Sequence, residues 1–133
     1  MGCQQEITTA DIVNINGYWE IEKVVFDKGE DKDYKMNQIY DYFKVDKNNI
    51  GFRKKVMPQL DGTFMVNDTY EKVLIRFAED KAFVDYSTPY MKWSEEIIAV
   101  SAEELVLLNK EKTVYYYKKA TPINLLGDGK ETK

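Results

Sequence analysis

The sequence predicts an all-β domain, a single antiparallel up-and-down β-barrel of about eight strands. Three observations lead there. Apolar and polar residues alternate at period two through most of the chain. Short turn-forming clusters separate these runs, and links this short join antiparallel neighbours, because a parallel crossover needs about a dozen residues or more. No convincing amphipathic helix lies between them. A meander of that many strands buries its edges most simply by closing on itself, whereas a two-sheet sandwich needs long returns that this chain mostly lacks.

The chain divides into an N-terminal tether over 1–16, the barrel over 17–120 and a fraying C-terminal tail over 121–133. Gly17 suits a tight entry into the first strand, Tyr18–Phe26. Trp19, Ile21 and Val25 share its apolar face, interrupted by Lys23, while Tyr18, Glu20 and Glu22 share the other. Asp27–Asp33 is a charged loop with four carboxylates. It lacks the late glutamate and flanking helices of an EF-hand, so it is expected to be solvated, with no metal. Met36–Phe43 allows a helical turn at most. Tyr40–Asp46 and Ile50–Gln59 are strands about the turn Lys47-Asn48-Asn49. In the second, Ile50, Phe52 and Val56 fall on one face and Arg53 and Lys55 on the other. Leu60-Asp61-Gly62 is the strongest turn signal. Thr63–Asn67, Tyr70–Ala78, Ala82–Ser87, Met91–Ser101, Glu104–Asn109 and Thr113–Lys119 complete the set.

Composition excludes several functions. The 133 residues suffice for one domain with a real core. Ten tyrosines and six phenylalanines favour a folded β-rich chain over disorder. The net charge of −4, with basic residues scattered, argues against nucleic acid as a partner. No apolar run approaches the roughly 20 residues that span a bilayer as a helix. Without histidine there is no Ser-His-Asp or Cys-His pair, and the one cysteine can form neither an internal disulfide nor a cysteine zinc site. Asp85 and Glu71 could serve as acid or base, but nothing places a nucleophile or oxyanion site beside them. The chain is therefore expected to be no enzyme and to need no cofactor.

Two stretches carry a resemblance. Gly17-x-Trp19, opening the first strand of an all-β chain, resembles the Gly-x-Trp signature of the lipocalin and wider calycin barrels. Glu96–Leu108 followed by the aromatic strand Val114–Lys119 is similar to the late hairpin and last strand of small lipocalin-like domains common among Bacteroidetes lipoproteins. The likeness covers roughly Gly17 to Ala120. It implies a basic side chain of the last strand, Lys118 or Lys119, lying over Trp19, with lysine where arginine is more usual. At the N-terminus, Gly2-Cys3 before a polar stretch resembles the maturation site of a bacterial lipoprotein. That implies lipid attachment at Cys3 and an outer-membrane lipoprotein facing the periplasm or the cell surface. A free thiol in a disordered tail is the alternative; myristoylation wants Ser or Thr where Glu6 stands.

The expected function is a membrane-tethered, lipocalin-like binding protein that holds a small apolar or amphiphilic ligand in its barrel, touching the membrane through its lipid only. The expected inward set is Trp19, Ile21, Phe43, Phe52, Phe64, Val84, Tyr86, Trp93 and Tyr116. The residues expected to meet ligand are Phe43, Phe52, Phe64, Arg76, Tyr86 and Trp93. Lys23, Lys54 and Arg76 share parity with apolar neighbours; Lys23 and Lys54 are expected to turn outward where strands bulge, and Arg76 is open. The competing expectation is a barrel filled by its own side chains, acting as an accessory subunit of an outer-membrane protein complex. Its docking surface would be the tyrosines expected outside: Tyr18, Tyr40, Tyr42, Tyr115 and Tyr117.

Overall fold

The computed structural model describes residues 6–27, 29, 31–33, 40–58, 64–66, 70–120 and 131–132. Its frame is a closed antiparallel barrel of eight strands: β1 (Gly17–Val25), β3 (Tyr40–Val45), β4 (Ile50–Pro58), β6 (Glu71–Ala78), β7 (Lys81–Ser87), β8 (Lys92–Val100), β9 (Glu104–Leu108) and β10 (Val114–Ala120). Neighbours follow chain order. The ring closes where the first strand, β1, pairs with the last, β10, and β4 pairs with β6 to carry it past β5. Three short strands lie off the ring. β2 (Asp31–Asp33) folds back on β1, so part of the expected charged loop is paired. β5 (Phe64–Val66) adds to the far half of β4, and β11 (Glu131–Thr132) pairs in parallel with β5, so the tail returns to the sheet instead of fraying throughout. β4 serves two partners in succession: Ile50–Arg53 close the ring on β6, and Val56–Pro58 carry β5 beyond it.

Turn chemistry fits the links. Asn49 takes a left-handed φ of 67°, and the Asp46 carboxylate accepts from the backbone of Asn48 and Ile50. Glu79 and Asp80 both have positive φ, the primed geometry that suits a two-residue hairpin. Of the helical turn allowed over Met36–Phe43, residues 40–43 are instead strand β3, and 36–39 lie outside the described residues. So does the turn Leu60-Asp61-Gly62.

The inward face follows from the register. Trp19 is opposite Asp41 and Lys119, Phe43 opposite Arg53, Gly51 opposite Val73, and Val73 opposite Tyr86. The chain of pairs runs on through Trp93, Glu95, Ile97, Leu107 and Leu105 to Tyr117. Gly51 is required where β3 and β4 approach, because a Cβ there would overlap the Lys44 carbonyl. A bulge between Ile21 and Lys23 shifts the parity of β1 and turns Lys23 outward over the Tyr116 ring.

Of the residues expected to be a tether, those described, 6–16, are part of the fold. Thr9–Ile12 form one α-helical turn, α1, and Val13–Ile15 a 3₁₀ turn. The Thr8 backbone N–H donates to the Asp11 carboxylate at 2.8 Å, fixing the start of α1. Ile7, Ile12 and Ile15 are buried in the same core as Trp19, Phe43 and Leu105. Asn16 then mimics a strand residue, its amide donating to the Val45 carbonyl and its side-chain oxygen accepting from the Val45 N–H at 2.6 Å. These turns stop one end of the barrel.

Candidate functional site

The stopped end is apolar and packed. Trp19, Phe43, Ile15, Ala82, Val84, Leu105 and Leu107 are fully buried there. The Trp19 indole N–H donates to the Ile15 carbonyl at 2.8 Å, so its polar edge is satisfied. Lys119 closes over the ring, its Nζ 4.5 Å from the indole and donating to the carbonyls of Asn16 (2.7 Å) and Asn14 (3.1 Å). Burial lowers the Lys119 pKa, so these acceptors hold the ammonium against a desolvation cost. Gly17, at φ 123°, leaves the space into which Lys119 tucks. Lys118 is exposed, so of the two candidates Lys119 is the basic partner of Trp19.

The other end of the interior is charged. Arg53 and Asp41 are buried, and the Arg53 Nε donates to Glu71 Oε1 at 2.8 Å while Lys55 Nζ donates to Asp41 Oδ1 at 2.7 Å. The Arg53 guanidinium lies 4.3 Å from the centre of the Tyr86 ring, and that ring stacks on Trp93 at 5.2 Å. Burial works against the Arg53 charge, and Tyr86, Glu71 and Asp41 outweigh it, raising its pKa. The Tyr86 hydroxyl donates to Glu95 Oε1 at 2.7 Å. Burial raises the Glu95 carboxyl, which Tyr86 and Arg53 partly offset. Burial likewise pushes the Tyr86 and Tyr117 hydroxyls well up, so both are neutral donors, and Tyr117 shares Asp41. Ile21, Trp93 and Tyr115, each half-buried, pack against the core that includes Tyr86 and Tyr117. This end, the mouth of the barrel, combines half-buried aromatic side chains with a layer of paired charges.

Of the residues expected to meet ligand, Phe43, Tyr86 and Trp93 do face the interior. Phe43 belongs to the packed end, Tyr86 to the floor and Trp93 to the rim. Phe64 is described only by its strand position, opposite Pro58, and Cys3 lies outside the described residues. Phe52 and Arg76 are corrections. Phe52 points outward, because the register that sets Phe43 opposite Arg53 gives β4's inner face to Arg53 and Lys55. Arg76 is 43% exposed on the outside, paired with Asp85, because β6 turns Val73 and Ile75 inward. Tyr116 also faces out and Tyr117 in. Sequence reasoning missed Arg53, Asp41 and Glu95 as interior groups and Lys55 as the half-exposed partner of Asp41. The available signal was complementary: two cations on one strand, with acids at matching positions on its neighbours.

The outer wall has two features. Tyr18, Tyr42, Phe52 and Tyr70 form a ladder of ring contacts at 4.6, 6.1 and 6.0 Å, with Lys54 over the last two rings. Tyr40 is buried beside Val56 and Ala120, so of the tyrosines expected outside, Tyr18 and Tyr42 form the surface and Tyr115 and Tyr117 face in. A cleft of about 600 Å³ crosses the outside of β6, β7 and β8. In it, Arg76 donates to both Asp85 oxygens at 2.8 and 3.1 Å, and the Ser94 hydroxyl donates to Asp85 at 2.6 Å. The Arg76 hydrogen bond lowers the Asp85 pKa and leaves this acid ionised and occupied.

No family model matches the chain, and no curated protein matches it either. Two crystal structures resemble it. One, of an uncharacterised protein from Bacteroides eggerthii, is 13% identical, with a TM-score of 0.48 over 79% of this chain and 98% of that one. The other, of a lipocalin-like protein from Bacteroides uniformis, is 12% identical, with a TM-score of 0.52 over 80% of this chain and 99% of that one. At that identity the likeness speaks for the fold, which the closed ring, the Gly17-x-Trp19 entry and the Lys119 contact describe independently: the chain folds as a lipocalin-like, eight-stranded antiparallel barrel.

Proposed function

We propose that this chain is a non-catalytic binding protein that takes one small amphiphilic ligand at the charged mouth of its barrel. The observation that carries this is the division of the interior. The stopped half is packed with side chains, while the other half holds paired charges under a half-buried aromatic rim. A ligand seated there sets its polar head against Arg53–Glu71 and Lys55–Asp41 and its apolar part against Trp93, Tyr115 and Ile21. A long chain running down the barrel does not suit the packed end. The non-catalytic part rests on how the acids are used. Glu71, Asp41 and Asp85 each hold a cation and Glu95 a tyrosine hydroxyl, an arrangement that builds a binding floor.

Native mass spectrometry of protein purified gently from its own cells tests this. A co-purifying small molecule should be lost in Tyr115→Ala and Lys55→Ala and kept in Tyr42→Ser on the outer wall. A wild-type protein that carries nothing, and that amphiphiles do not stabilise against heat, overturns it.

The tether belongs to the same proposal. Lipid on Cys3 would anchor the domain to the outer membrane, on its periplasmic or outer face, and Ile7–Ile15 would hold that anchor at the stopped end, opposite the mouth. Mass spectrometry of the native N-terminus decides it, and an unmodified Cys3 sinks it. One observation favours a second reading, an accessory subunit of an outer-membrane complex: the continuous ladder Tyr18–Tyr42–Phe52–Tyr70 outside the barrel. A co-purifying protein lost in Tyr42→Ser but kept in Tyr115→Ala would select it.

A further inference from the structure

We propose that the outer cleft of β6, β7 and β8 is a second binding site, for an amphiphile with an oxyanion head. The register builds it. Lys72 is directly opposite Ser87, and Ser87 directly opposite Lys92, so one row across three strands reads cation, hydroxyl, cation on the outer face. With neighbouring strands about 4.8 Å apart, the two lysine backbones stand roughly 10 Å apart, a span that two lysine stems can bridge to meet one anion above Ser87. Both lysines are exposed, and neither is ion-paired among the described residues. Arg76, the third cation, is neutralised by Asp85, and Ser94 takes up that acid's remaining demand. The cleft therefore keeps a local positive excess on a chain whose net charge is −4.

A solvated pair of lysines would need nothing more. This pair has an apolar strip beside it. Ile50 is directly opposite Leu74 in the next row, and they are 55% and 44% exposed. Cation row and apolar strip share one cleft of about 600 Å³, which is the size of a small-ligand site. An oxyanion bridging Lys72 and Lys92 and accepting from Ser87 places an attached apolar chain along Leu74 and Ile50. The Lys92 end is fixed in advance. The Thr88 N–H donates to the Met91 carbonyl at 2.9 Å, and the Thr88 hydroxyl accepts from the N–H groups of Tyr90 and Met91 at 3.1 Å. Val73, Tyr86 and Trp93 also line this cleft, whereas Tyr115 and Lys55 at the mouth do not, so those two take no part in it.

The test is a titration of the intact protein with dodecyl phosphate below its micelle concentration, followed by amide NMR, against uncharged dodecyl maltoside and inorganic phosphate. Saturable binding is expected, with the largest shifts at Lys72, Ser87 and Lys92 and a preference of roughly tenfold or more over dodecyl maltoside. The double variant Lys72→Gln/Lys92→Gln should lose about tenfold or more in affinity. Leu74→Ser should weaken dodecyl phosphate and leave inorganic phosphate unchanged. The comparison between dodecyl phosphate and dodecyl maltoside uses wild-type protein, so it holds even if a variant fails to fold. Equal affinity for dodecyl maltoside, shifts confined to the mouth, or no saturable binding overturns the proposal. Vesicles of phosphatidylglycerol in phosphatidylcholine then identify the source. Co-sedimentation that the double variant abolishes assigns the head group to a membrane surface. Binding of dodecyl phosphate without co-sedimentation assigns it to a free amphiphile.

Discussion

Replacing Lys119 by methionine tests how the stopped end is held. Methionine keeps an unbranched apolar stem over Trp19 and removes the ammonium. Three interactions go with it: donation to Asn16 at 2.7 Å, donation to Asn14 at 3.1 Å and the cation 4.5 Å from the indole. A hydrogen bond from a charged donor contributes about 1.5–3 kcal/mol, and a cation on an aromatic face about 0.5–2. Against them stands the desolvation that lowers the Lys119 pKa, and water can still reach part of this half-buried site. The net loss works out at about 2 kcal/mol, a fall in Tm of roughly 6–10 °C for a domain of this size. Urea denaturation and thermal melts of Lys119→Met, Lys119→Arg and Lys118→Met measure it. Arginine should recover most of the loss, and Lys118→Met, on the exposed side, should change stability by no more than about 0.5 kcal/mol. If Lys119→Met is as stable as the wild type, the ammonium does not hold this end and the packing of Trp19 and the isoleucines does so alone.

Three further outcomes follow from the same geometry. Gly51→Ala places a Cβ in the Lys44 carbonyl and should cost about 1–3 kcal/mol in urea denaturation; a neutral result would mean that β3 and β4 part without cost. Arg53→Met strands the Glu71 carboxylate in the mouth and should cost about 3 kcal/mol, while Arg53→Met/Glu71→Leu should recover most of it, and a double variant as unstable as the single one would contradict the pairing. Burial raises the Glu95 pKa above its ordinary 4.5, so between those two values the folded state binds the proton that the unfolded chain has released. Folding stability should therefore fall as pH rises through that window, and Glu95→Gln, which still accepts from Tyr86, should remove the fall; parallel stability curves for the two proteins would refute it.

Local signals carried most of the frame. Alternation, Asn49, Glu79–Asp80 and the short links are properties of neighbouring residues, and they sufficed for an antiparallel barrel of about eight strands. The resemblance at Gly17-x-Trp19 and in the last strand anticipated the contact of Trp19 with a lysine of β10. The stopper at 7–15 escaped notice because one α-helical turn and one 3₁₀ turn are too short to show a helical period, and its isoleucines read as stray apolar residues in a polar arm.

What the sequence by itself determined, then, was where strands run and turn. Which face of each strand looks inward was decided only by the tertiary structure. Period two yields two faces per strand and leaves the choice open, and a one-residue slip exchanges them. On β4 the more apolar face, with Phe52, lost to the face with Arg53 and Lys55. Pairing of β4 with β6 brought Glu71 within 2.8 Å of the buried Arg53, which is tolerable only with such a partner, and pairing of β3 with β4 set Asp41 2.7 Å from the half-exposed Lys55. On β1 the bulge after Ile21 reversed the parity of Lys23, and on β6 the inward turn of Val73 and Ile75 left Arg76 and Leu74 on the outer cleft. The partners that settled these choices lie on other strands. Their effect exists only once the strands have paired, so the charged mouth and the outer cleft belong to the tertiary structure.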